Sequence, residues 1–165
     1  MKNIIFIGMP ASGKSTVGVV VAKRLGYEFI DTDLLIQKQE KKLLKEIIAE
    51  VGNEGFLEIE NQVNRDVEAE NAVISPGGSV VYCKEAMGHY KKIGKIVYLQ
   101  VPFETINKRI SNAKNRGVVL KEGQTLRDLY DERTKLFEQY ADYTISEAGL
   151  DLEETIDRVL ELFEK

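Results

Sequence analysis

GMPASGKST, residues 8–16, directly follows the apolar run NIIFI, and its spacing decides how the rest of the chain is read. A glycine, four residues and then Gly13-Lys14-Ser15 is the pattern of a loop that turns successive backbone N–H groups inward around phosphate oxygens. A helix beginning at Lys14 adds the positive end of its dipole. Lys14 is expected to reach the β- and γ-phosphates of a nucleotide. Ser15 is expected to offer its hydroxyl to Mg2+, and Thr16 a second hydroxyl near the α-phosphate. Gly8 and Gly13 serve a backbone that must take positive φ or approach the phosphates closely, and Ala11 and Ser12 belong to the same nucleotide-binding loop. A glycine-rich turn can also merely join a strand to a helix, but the full eight-residue pattern in that context is far more specific. By itself the loop fixes nucleotide binding only, since kinases, GTPases and motor ATPases share it.

Working outward, apolar periodicity predicts strands at 4–7, 27–30, 72–75, 95–101 and 143–145. Helices are expected at 16–25, 34–51, 54–69, 83–92, 103–111, 125–140 and 151–163, with a turn at Gly52 and a loop at 76–79. Strands alternating with helices imply a three-layer α/β fold with a central, mostly parallel five-stranded sheet. Ligands of such sheets bind beyond the carboxyl ends of the strands, which gathers residues 8–15, 31–33 and 76–79 into one cleft.

The 165 residues fit one domain with a core of its own, and 43% apolar with 30% charged residues excludes disorder as the expectation. A net charge of -4 argues against a general nucleic-acid binder, which needs a basic face to displace counterions. Cys83 is the single cysteine and cannot form an intramolecular disulfide. The start MKNIIFIG lacks a secretory pattern and no run is long enough to span a bilayer, so a cytoplasmic monomer without membrane or nucleic-acid partners is expected. His89 and Cys83 have no partners spaced for zinc or for nucleophilic catalysis, and the amphipathic stretch DLEETIDRVLELFEK reads as a packing helix.

Asp31 and Asp33 stand one residue apart at the end of the second strand, where an extended backbone would aim both to one side. One carboxylate could bind Mg2+ while the other accepts a proton from an attacking hydroxyl. The plainer alternative is that Asp33 caps the next helix and Asp31 is solvated.

GMPASGKST followed by GYEFIDTD resembles the shikimate kinases, small phosphotransferases of about this length. The resemblance continues in the same order through GNEGFLEIE, SPGGSVV, NRGVVL and LYDERTKLF, covering nearly the whole chain. It implies that ATP gives its γ-phosphoryl group to a hydroxyl of a small acceptor, most directly shikimate, with Mg2+ present. On that resemblance Asp31 helps hold Mg2+, Asp33 contacts the acceptor hydroxyl, Gly77 and Gly78 touch the acceptor, and Arg109 packs against adenine. It further implies an acceptor-binding helical region at about 33–69 and a mobile lid at about 112–124, with Arg116 closing on the transferring phosphoryl group. Arg133 would hold the acceptor's carboxylate.

The chain departs from the family pattern at three places. Ser79 replaces a third glycine, Gly117 stands where the lid has proline, and Leu57 occupies the position of a second carboxylate-binding arginine. A hydrogen bond to a charged group is worth about 1.5–3 kcal/mol, so that last loss would weaken acid binding roughly tenfold to a hundredfold or more. Arg65 lies about 12 Å further along the same predicted helix and is a poor replacement. Arg133 alone, a lysine from elsewhere, or a different acceptor would resolve it. The alternatives to a shikimate kinase are therefore a kinase for another small hydroxy acid or polyol, and a non-catalytic nucleotide-binding regulatory module. A GTPase switch lacks an Asn-Lys-x-Asp segment to read guanine.

Overall fold

The computed structural model describes residues 2–112 and 123–164. Among them lie five strands, β1 (Asn3–Ile7), β2 (Glu28–Asp31), β3 (Ala72–Ser75), β4 (Gly94–Gln100) and β5 (Tyr143–Ser146), paired in parallel in the order β2-β3-β1-β4-β5. The helices are α1 (Lys14–Leu25), α2 (Thr32–Glu40), α3 (Leu44–Arg65), α4 (Lys84–Ile93), α5 (Phe103–Asn112), α6 (Leu126–Tyr140) and α7 (Leu152–Phe163).

β1 is buried along its whole length because it is the middle strand and serves two cores at once. Ile4 and Phe6 face Val17 and Val21 of α1 and Val159 and Leu160 of α7. Ile5 and Ile7 face the opposite side, toward Met87 and Tyr90 of α4 and Leu129 and Phe137 of α6. A strand covered on both faces reads as continuous rather than alternating hydrophobicity, which is the NIIFI pattern. Asn3 ties down its start: Nδ2 donates to Ala69 O at 2.8 Å and Ile93 O at 3.0 Å, while Oδ1 accepts from Ala72 N at 3.0 Å.

A smaller cluster of Ile36 from α2 with Ile47, Phe56 and Val63 from α3 lies outside these two cores. Here the structure departs from the sequence expectation. The single helix predicted over 34–51 is divided, because Lys41 takes φ 58 and ends α2 with its N–H on Gln37 O. α3 then breaks at Gly52 (φ 77, ψ 176), where a turn was expected. Its second half stops at Arg65 instead of 69, and the loop expected at 76–79 runs into a 3-10 helix, Gly78–Tyr82. The expected lid at about 112–124 falls mostly on 113–122, and these residues, Arg116 among them, lie outside the described residues. No helix among the described residues is long and apolar enough to cross a membrane.

Candidate active site

The carboxyl ends of all five strands open on one cavity of about 1060 Å³. The loop after β1 forms its floor. Gly13 sits at φ 93 as the N-cap of α1, a left-handed conformation that glycine adopts without strain. Gly8 answers to crowding: a Cβ there would stand 2.9 Å from Leu99 O and 3.0 Å from Ser12 Oγ. Ala11 is also left-handed, at φ 67, and its carbonyl accepts from Arg109 Nη1 at 2.8 Å, which ties α5 to the loop. Buried Lys14 folds back over this loop, its Nζ donating to Gly8 O and Met9 O, each at 2.9 Å. Ser15 Oγ lies 3.5 Å from Ser75 Oγ at the end of β3, and Ser15 and Thr16 both line the cavity.

Asp31 and Asp33 line the same cavity but are not alike. The expected extended pair is corrected by the helix start: α2 begins at Thr32, so only Asp31 ends a strand and Asp33 lies in the first helical turn. Asp31, not Asp33, is the cap, its Oδ1 accepting from Asp33 N at 2.9 Å and Leu34 N at 3.4 Å. Asp33 is thereby left to face the cavity. Burial pushes its carboxyl up to about 6, the neighbouring Asp31 charge adds to this, and Lys14 opposes it.

Opposite Asp33 is the turn after β3, where glycine is again a matter of space. A Cβ on Gly77 would stand 2.9 Å from Asp33 Oδ1 and 3.1 Å from Glu60 Oε2; one on Gly78 would stand 2.9 Å from both Arg133 Nη1 and Pro10 Cδ. The guanidinium of buried Arg133 therefore lies against this turn, 5.4 Å above the Tyr82 ring. Leu57 does not line the cavity and packs against the core between the sheet, α4 and α6. Arg65 points elsewhere, paired with Asp66 at 3.3 Å and Glu85 at 3.1 Å.

Two acidic side chains escaped the sequence analysis. Glu60, buried in the second half of α3, accepts from Ser79 Oγ at 2.6 Å through Oε1, while Oε2 has no hydrogen-bond partner among the described residues. Burial and the Asp33 charge push Glu60 up to about 7 against the opposing Ser79 bond and the Arg133 and Lys14 charges. Its signal was a carboxylate four residues after Phe56 on a helix face that is otherwise buried. Glu147, in the loop after β5, is likewise pushed up to about 7 by burial, with Arg109, a Thr155 hydrogen bond and Lys14 opposing. That loop, 147–151, lines the cavity beside Arg109, with Leu152 at the start of α7. The same strand-end rule that collected the first three loops would have found it. Cys83 is buried beside Glu60 and its thiol is pushed up to about 12, which suits packing and not nucleophilic attack.

The cavity thus has a floor formed by the loop after β1, one end bounded by Arg109 and loop 147–151, and another bounded by Asp33, Glu60, Gly77, Gly78 and Arg133. The sequence model of the shikimate kinase family matches residues 10–164. The shikimate kinase of Persephonella marina is 34% identical over 161 residues, 97% of this chain and 98% of that protein. That of Clostridium botulinum (strain 657 / Type Ba4) is 41% identical over 143 residues, 84% of each. Among solved structures, shikimate kinase from Acinetobacter baumannii in complex with shikimate superposes with a TM-score of 0.89 at 30% identity, covering 98% of this chain and 92% of that one. Shikimate kinase from Aquifex aeolicus gives 0.81 at 31%, covering 98% and 96%.

Proposed function

The chain belongs to the shikimate kinase family, and from that membership we propose that it moves the γ-phosphoryl group of ATP to a hydroxyl of shikimate, giving ADP and shikimate 3-phosphate. The chain is an ATP-dependent small-molecule kinase. One relationship supports the acceptor assignment above others: the phosphate loop shares its cavity with Asp33, Gly77, Gly78 and Arg133, a set that a nucleotide sensor has no use for.

Bound ATP lays its phosphates on the backbone of residues 8–16, with Lys14 exchanging the carbonyls of Gly8 and Met9 for β- and γ-phosphate oxygens. Its adenine lies toward Arg109. Arg133 receives the acceptor's carboxylate and the Gly77-Gly78 backbone closes on its ring, which aims the hydroxyl at the γ-phosphorus. The hydroxyl oxygen forms the new P–O bond, the bond to the β-γ bridging oxygen breaks, and ionised Asp33 takes the hydroxyl proton. Arg116 is assigned to the charge on the transferring phosphoryl group; Arg116→Ala should lower kcat more than it raises the KM for ATP.

Ser15 and Asp31 offer hard oxygen donors at the floor, and capping commits only Oδ1 of Asp31. No cluster of three or more His, Cys, Asp or Glu suited to a metal exists among the described residues. That donor set fits Mg2+, which leans on one or two protein oxygens, substrate phosphates and water. Mg2+ held there supplies neutralisation of phosphate charge.

ADP release with ATP, Mg2+ and a panel of hydroxy acids and polyols tests the assignment. Shikimate should give turnover well above the no-acceptor background. Turnover with another compound and none with shikimate would instead favour the second acceptor class, for which Leu57 is the motive. Sedimentation should find a monomer.

A further inference from the structure

The acceptor end of the cavity is short of positive charge. Asp33 and Glu60 bring two carboxyl groups there against the buried guanidinium of Arg133. An acceptor that carries its own carboxylate brings a third acidic group beside that guanidinium, while Lys14, whose charge also reaches Asp33 and Glu60, is committed to the phosphate loop. Leu57 faces the core and adds no charge.

Among the described residues, four cationic side chains line the cavity: Lys14, Lys45, Arg109 and Arg133. Lys14 is occupied by the phosphate loop and Arg109 by Ala11 O, both at the nucleotide side. Lys45, in the first turn of α3, is exposed. It is the one of the four that makes no hydrogen bond or ion pair among the described residues. Its neighbours Leu44 and Ile48 also line the cavity and anchor that turn on the small core of Ile36, Ile47 and Phe56. The Lys42–Glu50 ion pair spans the same helical segment and leaves Lys45 outside it. A flexible four-carbon stem on a fixed turn suits an ammonium that waits for an anion.

We propose that Lys45 is the second cationic contact for the acceptor's carboxylate, complementing Arg133, and that it sets the preference for acidic over neutral acceptors. The proposal rests on the assignment of shikimate as acceptor. It predicts a charge-specific effect on one substrate, which a merely structural lysine would not produce.

The test uses the full chain, Lys45→Met and Lys45→Arg, with shikimate as substrate and shikimate methyl ester as its competitor. Lys45→Met should raise the KM for shikimate about tenfold, the effect of one charged contact. It should leave kcat and the KM for ATP within about twofold. The inhibition constant of the uncharged ester should stay within about twofold, so that discrimination between acid and ester narrows about tenfold. Lys45→Arg should restore most of it, and raised salt should weaken shikimate binding more in the parent protein than in Lys45→Met. An equal change for acid and ester, or no change for either, overturns the proposal while leaving the kinase assignment intact. A parent protein that turns over no shikimate overturns the assignment, and this inference with it.

Discussion

Ser79 donates its hydroxyl hydrogen to Glu60 Oε1 across 2.6 Å, and that bond holds a carboxyl group whose other oxygen is buried without a partner among the described residues. The Ser79 bond favours the ionised form, but burial outweighs it and Glu60 titrates at about 7 instead of its ordinary 4.5. The folded state therefore keeps a proton that the unfolded chain has already released between those two values. Stability of the ligand-free protein should fall as pH rises from about 4.5 to 7, by at most about 1.4 kcal/mol per pH unit from this group. Asp33, raised from 3.8 to about 6, adds a slope of the same sign at the acid end of that window. Thermal melts should show the decline, and Glu60→Gln should flatten it.

Asp33 carries the other pH effect. In its proposed role as proton acceptor it must be ionised, so kcat/KM for shikimate should fall as pH drops through about 6. Asp33→Asn should lower kcat about 10²–10⁴-fold and abolish that acid limb. The variant should still be stabilised by ATP, since Asp33 touches the acceptor end. Retained turnover in Asp33→Asn would remove it from the mechanism.

Two glycine substitutions should have opposite signs. Gly78→Ala puts a methyl group 2.9 Å from Arg133 Nη1 and Pro10 Cδ and 3.2 Å from Gly8 O. It should cost about 1–3 kcal/mol and raise the KM for shikimate by displacing Arg133. Gly88→Ala, inside α4, meets nothing within 4 Å and should gain about 0.5–1 kcal/mol from helix propensity with unaltered kinetics. Melts and steady-state rates on the two variants check both statements.

Lys14→Met should separate nucleotide binding from folding. Saturating ATP at about 100 times its Kd stabilises the parent protein by about 2.7 kcal/mol. The variant should fold, yet lose most of that nucleotide-induced shift in melting temperature. An undiminished shift would mean that Lys14 does not hold the phosphates.

The phosphate loop, the five strands and the cleft were legible in the sequence because each rests on a local rule: glycine spacing, strand periodicity, and ligands beyond the strand ends. What escaped were properties of packing. Lys41 breaks a helix in a left-handed conformation that no glycine announces. Asp31 takes the cap that the plainer alternative gave to Asp33, because the helix starts at Thr32, two residues before the expected position 34. Glu60 becomes a site residue only when Ser79, nineteen positions away, is brought onto it by the turn after β3. Leu57 stands where the family pattern has an arginine, whereas Lys45, one of the cationic side chains that line the cavity, sits twelve positions earlier on the other side of the Gly52 break.

Lys14 spans its own loop, and this makes nucleotide capture an exchange reaction. An arriving phosphate finds no bare ammonium; it must displace the carbonyls of Gly8 and Met9, which keep one another's company with Nζ at 2.9 Å. Small anions that offer one weak acceptor gain little by that trade, while a triphosphate that also satisfies the loop's N–H groups gains from every oxygen at once. The bonds that hold Lys14 thus set a threshold for capture at this loop, passed in proportion to the oxygens a ligand offers in place of the two carbonyls.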